Sequence, residues 1–340
     1  MTNSQDVQNR IEGRIGIIEL DRPQALNSLT LDMIRGIDEA LTRFAEDDAV
    51  ATVVILSSTP KAFCAGGDVR GVREDDLSGN YAIGDEFFSA EYALNYRLAR
   101  YGKPIVALLE GVVMGGGFGI SAHGSHRVIT RRTLGAMPET AIGFTPDVGM
   151  SHRLTHLNVS AEVGIFLGLT GWRLNGADMM FTGLGTNVVE DPEALLETLR
   201  NNPLPDALDR HAAPVPEGST LQPRVADIEA ALSHDNILDV EKDLNKLAQG
   251  SDQFATTLRK QLDGANPTSL VATFELFRRS AQTDLATALR NEERVAAALR
   301  RQPNFAEGVR AVLVDKDHQA KFSPATTAEV DQDFWKSLLV

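Results

Sequence analysis

The sequence predicts an α/β core followed by a largely helical C-terminal region, and three observations carry that expectation. Up to residue 109, apolar runs of strand length alternate with stretches of helical period. Beyond Pro192, nearly every apolar pattern has helical spacing. Between these regions a strand-like run, residues 105–109, leads through Glu110 and Gly111 to three consecutive glycines at 115–117. Strand, helix, strand in repetition implies right-handed crossovers and a parallel sheet.

Taken in order, GRIGIIEL (13–20) alternates enough to be a strand, and DRPQALNS after it is a turn rich in Pro and Asn. Thr30 stands where an N-cap belongs, ahead of LDMIRGIDEALTRF, whose apolar residues recur at helical spacing. ATVVILSS is a β-branched buried strand, and KAFCAGGDVRGV opens a polar loop. Residues 85–101 form an amphipathic helix that leads into the 105–109 strand. SAEVGIFLGLTG and NGADMMFTGL are helical, and TNVVE is one more short strand. Helices then run to the end, broken by NNPLPD and HAAPVPEGSTLQP. The second break has the composition of a linker, so residues 200–224 are expected to form a flexible surface connection. The domain expectation is a core over 1–200 and a helical region over 201–340, without internal repeats.

Composition narrows the function. With 340 residues, 43% hydrophobic and 24% charged, the chain is of soluble globular type with ample core. No apolar run reaches the length of a membrane span, and MTNSQDVQNR lacks the apolar centre of a signal peptide. A single cysteine, Cys64, permits no internal disulfide and fits a reducing cytoplasm. A net charge of −14 argues against nucleic acid as partner and leaves an anionic small molecule in need of a local basic pocket.

The chemistry centres on the glycines. Three in a row cost backbone entropy, so the fold must use their missing Cβ atoms for a close approach to the main chain. A helix starting there would aim its first N–H groups, which have no internal partner, at whatever lies in front. That makes an oxyanion pocket from backbone alone, and packing of helix on strand is the competing explanation. Glu139, in MPET, lies among apolar neighbours that would raise its pKa if buried and suit acid–base work. Asp147 follows in TPDVG. Two carboxylates near a backbone anion hole suggest acyl chemistry. Read alone, Glu91 beside Tyr92 belongs to a solvated helix face, Asp68 caps the turn after AGG, and Cys64 is a small buried residue. Gly117, Gly119 and Ala122 fit a dinucleotide fingerprint, but the next strand follows too soon for its helix. His152 and His156 stand at i, i+4 without the glutamate of a zinc motif, and no nucleophile elbow occurs.

DRPQALNSLT, KAFCAGGD, MGGGFG, AMPETAIGFTPDVG, LTGWRLNGADM and EGVRAVLVDKD together resemble the crotonase (enoyl-CoA hydratase/isomerase) superfamily, over residues 12–190 and 266–324. FFSAEYALN, SAHGSHRVIT, FTPDVG and VLVDKDHQAKFSPA look most like its 3-hydroxyisobutyryl-CoA hydrolase branch. The resemblance implies a crotonase-like ββα spiral core and hydrolysis of a short branched hydroxyacyl-CoA, a reaction of valine catabolism. It implies an oxyanion hole from the N–H groups of Gly67 and Gly116, a catalytic Glu139, and acidic active-site positions at Asp147 and Glu91. CoA would be held near Ala25, Lys61, Ala65 and Asp68, with Arg22 a further basic candidate. No metal or redox cofactor is called for, CoA being part of the substrate; a homo-oligomer is left open. A hydratase would carry a second glutamate two residues after the triple glycine, where this chain has Gly119. A lyase or isomerase acting on an enoyl-CoA, and a non-catalytic binder of CoA esters, remain alternatives. Whether Glu139 acts as base or nucleophile is also open.

Overall fold

The structure is a computed structural model, and it describes residues 6–340. Among the described residues, nine strands form two sheets. They are β1 (Val7–Glu12), β2 (Ile15–Leu20), β3 (Thr52–Ser57), β4 (Ala62–Cys64), β5 (Ile105–Leu109), β6 (Val112–Met114), β7 (His126–Ile129), β8 (Leu134–Ala136) and β9 (Asn187–Val188). The large sheet runs β1-β2-β3-β5-β7-β9, antiparallel at β1 and parallel elsewhere; the small one runs β4-β6-β8. Each of the pairs β3/β4, β5/β6 and β7/β8 places its first strand in the large sheet and its second in the small one. Repeated with a helical crossover, this is the ββα spiral that the sequence led us to expect.

The chain divides into two compact units that interleave along the sequence. Of the described residues, the first comprises 6–67, 90–135 and 174–219; the second comprises 68–89, 136–173 and 220–340. A cut at residue 200 therefore does not follow this division.

In the first unit the large sheet is covered on both faces, which is why its central strands read as unbroken apolar runs. On one face Ile15, Ile17, Val54, Val106 and Val128 pack with Leu195 and Leu199 of α8 (Pro192–Leu199) and with Leu204, Ala207 and Leu208 of α9 (Leu204–His211). On the other lies α1 (Leu31–Glu46), capped by Thr30, whose hydroxyl accepts from Met33 N–H at 3.2 Å. The Phe44 ring of α1 lies so close to Gly16 that a Cβ there would meet it at 2.7 Å. The unit also holds α4 (Gly116–Gly119) and α7 (Gly176–Thr182).

The second unit is helical. It contains α2 (Val69–Leu77), α5 (Met150–Thr155), α6 (Ala161–Thr170), α10 (Val225–Leu232), α11 (Ile237–Leu247), α12 (Gln253–Gly264), α13 (Pro267–Ser280), α14 (Leu285–Arg300), α15 (Pro303–Val309) and α16 (Gln332–Ser337). The long α3 (Tyr81–Ala99) begins in this unit and ends in the first. Helix α13 is buried from Thr268 to Phe277 and forms the centre. Near the start of α3, buried Arg300 of α14 donates to Asp76 of α2 (2.5 and 3.1 Å) and to Asp85 (2.9 Å), with its guanidinium 5.3 Å from the Phe88 ring centroid.

Residues 200–224 are not a flexible connection. Helix α9 belongs to the core just described, Ala213 N–H donates to Val188 O at 2.9 Å, and Asn175 Nδ2 donates to Gly218 O at 2.9 Å. Leu221 is fully buried, and Thr220 accepts from the Trp172 indole at 3.1 Å. The proline-rich composition reflects an irregular path rather than a loose one.

Candidate active site

The residues singled out from the sequence fall partly in the first unit and partly in the second. In the first, β4 ends at Cys64 and the next residues are pinned by the main chain. Ala65 N–H donates to Leu26 O at 3.0 Å, and Leu29 N–H donates to Gly66 O at 2.8 Å. β6 runs into Gly115, whose φ of 47° turns the chain into the four-residue α4. L side chains rarely adopt that conformation, which accounts for the first glycine of the run. Among the described residues, neither Gly67 nor Gly116 donates its N–H to an acceptor in the chain. A Cβ on Gly116 would stand 3.3 Å from Gly67 N and 2.5 Å from Glu91 Oε1. Gly67 N and the Glu91 carboxyl thus both lie against the side-chain position of Gly116, and the absent side chain is what makes room.

Glu91 reaches that point from α3 and is 2% exposed, so it does not lie on a solvated helix face as its sequence context alone suggested. Cys64 is fully buried, and burial together with the nearby Glu91 charge pushes its thiol up to about 12. It is a packing residue, as its apolar context suggested. Gly119 closes α4 and is buried; four residues are too few for the helix of a dinucleotide site.

The expected CoA contacts lie around these loops. Half-buried Ala25 ends the turn Pro23–Ala25, and its carbonyl accepts from Ser28 N–H (3.0 Å) and Oγ (2.9 Å). Ala65 is half-buried, and Lys61 is exposed. Arg22 is engaged within its own turn, donating to Ser28 O at 2.8 Å. Asp68, at the start of the second unit's first stretch, caps α2 by accepting from Gly71 N–H at 3.4 Å.

In the second unit, Glu139 opens the 3-10 turn Glu139–Ile142 and is 7% exposed. The turn is fixed from several sides. Glu139 O accepts from Phe144 N–H (3.1 Å), Thr140 O accepts from Asn266 N–H (2.9 Å), and Thr140 Oγ1 donates to Leu169 O (3.1 Å). Phe144 packs between Phe88 and Phe305, with ring centroids at 5.2 and 5.6 Å. Asp147, eight residues on, is 4% exposed. Its carbonyl accepts from Met150 N–H at 2.8 Å across a turn in which Val148 has φ 53° and Gly149 has φ 78°.

One residue the sequence argument did not single out bears on this turn. Glu292 of α14 is fully buried and accepts from Gly149 N–H at 2.6 Å, Ser151 N–H at 3.0 Å and Ser151 Oγ at 2.5 Å. Burial, with the Asp147 charge adding to it, pushes its carboxyl up to about 8. The available signal was its place on the apolar stripe of α14, among Ala288, Leu289, Val295 and Ala296.

The structure therefore gathers Gly67, Gly116 and Glu91 in the first unit and sets Glu139 and Asp147 on successive turns of the second. Main-chain donors can hold a carbonyl oxygen as it gains charge, and buried carboxylates can take protons or attack carbon. His152 and His156 stack on each other with centroids at 4.1 Å; burial and its neighbour push His152 down to about 4. No cluster of three potential metal ligands occurs among the described residues, and no helix there is long and apolar enough to cross a membrane.

Comparison with known proteins adds to this geometry. A family profile described as enoyl-CoA hydratase/isomerase matches residues 15–339. Among curated proteins, the chain is 39% identical over 334 residues to the "3-hydroxyisobutyryl-CoA hydrolase, mitochondrial" of Danio rerio, covering 95% of this chain and 86% of that one. It is 36% identical over 347 residues to the protein of the same name from Homo sapiens, covering 97% and 87%. Among solved structures, it is similar to a carnitinyl-CoA dehydratase from Mycobacterium thermoresistibile (TM-score 0.91, 33% identity, 99% and 97% covered). It is also similar to an enoyl-CoA hydratase from Rhodobacter sphaeroides 2.4.1 (TM-score 0.89, 34% identity, 98% and 97% covered).

Proposed function

The chain belongs to the enoyl-CoA hydratase/isomerase family, and we propose that within it the chain is a thioester hydrolase that converts 3-hydroxyisobutyryl-CoA to 3-hydroxyisobutyrate and free CoA. Curated relatives of that name match along nearly its whole length. The observation that carries the choice of reaction is Gly119. Hydration of a double bond needs two carboxylates on one water, and the second of them has no counterpart at this buried glycine. The lost partner leaves Glu139 suited to a different substrate atom, the thioester carbon.

On this proposal the thioester oxygen accepts from Gly67 and Gly116 N–H, which have no acceptor among the described residues. Glu139 either draws a proton from water, which then attacks the carbonyl carbon, or attacks that carbon itself. In either course the C–S bond then breaks and CoA leaves as thiolate; in the second, water hydrolyses the resulting anhydride. Asp147 and Glu91 orient the water or the substrate hydroxyl. Lys61 is the exposed cation suited to the CoA phosphates, with the loops bearing Ala25, Ala65 and Asp68 lining the nucleotide end. No metal or redox group enters the scheme. The reaction is, on this reading, a step of valine catabolism. The single unpaired cysteine supports a cytoplasmic setting, whereas the vertebrate relatives are named as mitochondrial.

The fold is shared with proteins called hydratase and dehydratase, so the test must separate the reactions. One preparation is assayed for thiol release from 3-hydroxyisobutyryl-CoA and for loss of enoyl absorbance with crotonyl-CoA. Thiol release is expected, with hydration slower by at least about 10²-fold, the usual scale of one lost acid–base group. Fast hydration without thiol release overturns the proposal in favour of the lyase. Tight binding without either reaction leaves a CoA-ester-binding protein.

A further inference from the structure

Glu292 is a fully buried carboxyl that the proposed mechanism does not use, and its contacts are specific. Its two oxygens take three donors, all from the four residues that follow Asp147. Ser151 Oγ lies in turn 2.8 Å from Ser280 Oγ of α13, so the clamp is tied to the central helix. What it holds is strained. Val148, a β-branched residue at φ 53°, sits where such side chains are outliers. A turn of that kind persists only if its surroundings over-determine it. Gly149 and Ser151 N–H groups would otherwise lack acceptors at the start of the short α5.

We propose that Glu292 is a positioning residue: by clamping the 148–151 turn it fixes the direction of the Asp147 carboxyl. The inference rests on the catalytic role proposed above for Asp147. The groups that face Glu292 are few. Helix α13 presents the Ser280 hydroxyl to Ser151, α5 presents Ser151, and the turn before α5 presents Asp147, whose charge raises the Glu292 carboxyl. Two buried carboxyls so placed disfavour double ionisation. Glu292 therefore keeps a proton while Asp147 is charged, and its protonated form can donate to Ser151 Oγ, which passes its own hydrogen to Ser280. The clamp thus survives in either state, but ionising Glu292 sets a second negative charge beside Asp147.

The test is Glu292→Gln, which keeps the shape but turns one acceptor into an NH2 group facing a main-chain N–H. A fall in kcat of about tenfold or more is expected with KM unchanged within about twofold. The wild type should lose kcat through an ionisation near pH 8, the value to which the Glu292 carboxyl is raised, and the variant should lack that inflection. Ser151→Ala removes one donor and no charge, so it should fold even if Glu292→Gln does not. It should lower kcat less and move the inflection upward, because a hydrogen bond to the ionised form is lost. Asp147→Asn runs in parallel, and the double variant Asp147→Asn/Glu292→Gln should be no slower than it. If Asp147→Asn has wild-type kcat, the catalytic reading of Asp147 fails and takes this inference with it. If Asp147→Asn is slow while Glu292→Gln keeps wild-type kcat and inflection, the inference alone is overturned. A loss that disappears after correction for the folded fraction overturns it equally.

Discussion

Replacing Gly116 by alanine puts the proposed oxyanion pocket to a quantitative test. The new methyl would stand 2.5 Å from Glu91 Oε1, 3.1 Å from Leu29 Cδ1 and 3.3 Å from Gly67 N. Ordinary contact begins at 3.4 Å, so the Glu91 carboxyl must retreat by about 0.9 Å. Leu29 can give a few tenths of an ångström; Gly67 is main chain held through its neighbours. The methyl would also occupy the point where both N–H groups are proposed to meet the substrate oxygen. A displacement of roughly 1 Å at a reacting centre costs on the order of 10²-fold, or about 2.7 kcal/mol of transition-state stabilisation. Overpacking should cost a further 1–3 kcal/mol or so in folding stability. The assay is thiol release under saturating 3-hydroxyisobutyryl-CoA, with urea unfolding alongside. Gly264→Ala is the control, because no atom lies within 4 Å of its added Cβ. Gly117 cannot serve, since its Cβ would meet the Cys64 carbonyl at 2.5 Å. A folded Gly116→Ala protein that keeps more than about a tenth of wild-type kcat refutes the backbone pocket.

Three further outcomes are expected. Glu139→Gln should lower kcat by about 10²-fold or more while the Kd for the CoA ester stays nearly unchanged; a smaller loss removes Glu139 as base or nucleophile. Arg300→Ala strands Asp76, whose side chain is 5% exposed, and should cost about 3–5 kcal/mol in urea unfolding; a loss below about 1 kcal/mol would show the pair to be dispensable. The Glu292 carboxyl is raised from 4.5 to about 8, so its contribution to stability is present below pH 4.5 and is lost as pH rises through 8. Unfolding free energy measured from pH 5 to 9 should fall more steeply in the wild type than in Glu292→Gln, and parallel curves would contradict that burial.

Much of this was legible in the chain because the signals were local and periodic. The buried strands β3 and β5 announce themselves as unbroken apolar runs, α1 by its period and its Thr30 cap, and the glycine approach by its cost in entropy. What stayed hidden depends on partners distant in sequence. β4, β6 and β8 are three residues each and show no period of their own. β1 reads as polar because it is an edge strand, paired only with β2. Glu91 and Glu292 sit on helices where a glutamate is ordinarily solvated, and only the atoms brought against them tell otherwise. The 200–224 stretch misleads for the opposite reason: its residues are those of a linker, while its anchors, Val188 and Asn175 among them, lie elsewhere in the chain.

The interleaving of the two units has a consequence for how the molecule is made. The chain passes from one unit to the other after residues 67, 89, 135, 173 and 219. A ribosome therefore releases neither unit whole until late. The apolar face formed by Ile15, Ile17 and Val54 acquires its cover only when α8 and α9, ending at His211, have emerged. At roughly 5–20 residues per second that is a wait of about 8–30 s after Val54 is made, long enough for a nascent sheet edge to meet its neighbours. Chaperone demand should accordingly peak before residue 211 is exposed and fall after it, and no gene fragment ending near residue 200 should be soluble by itself.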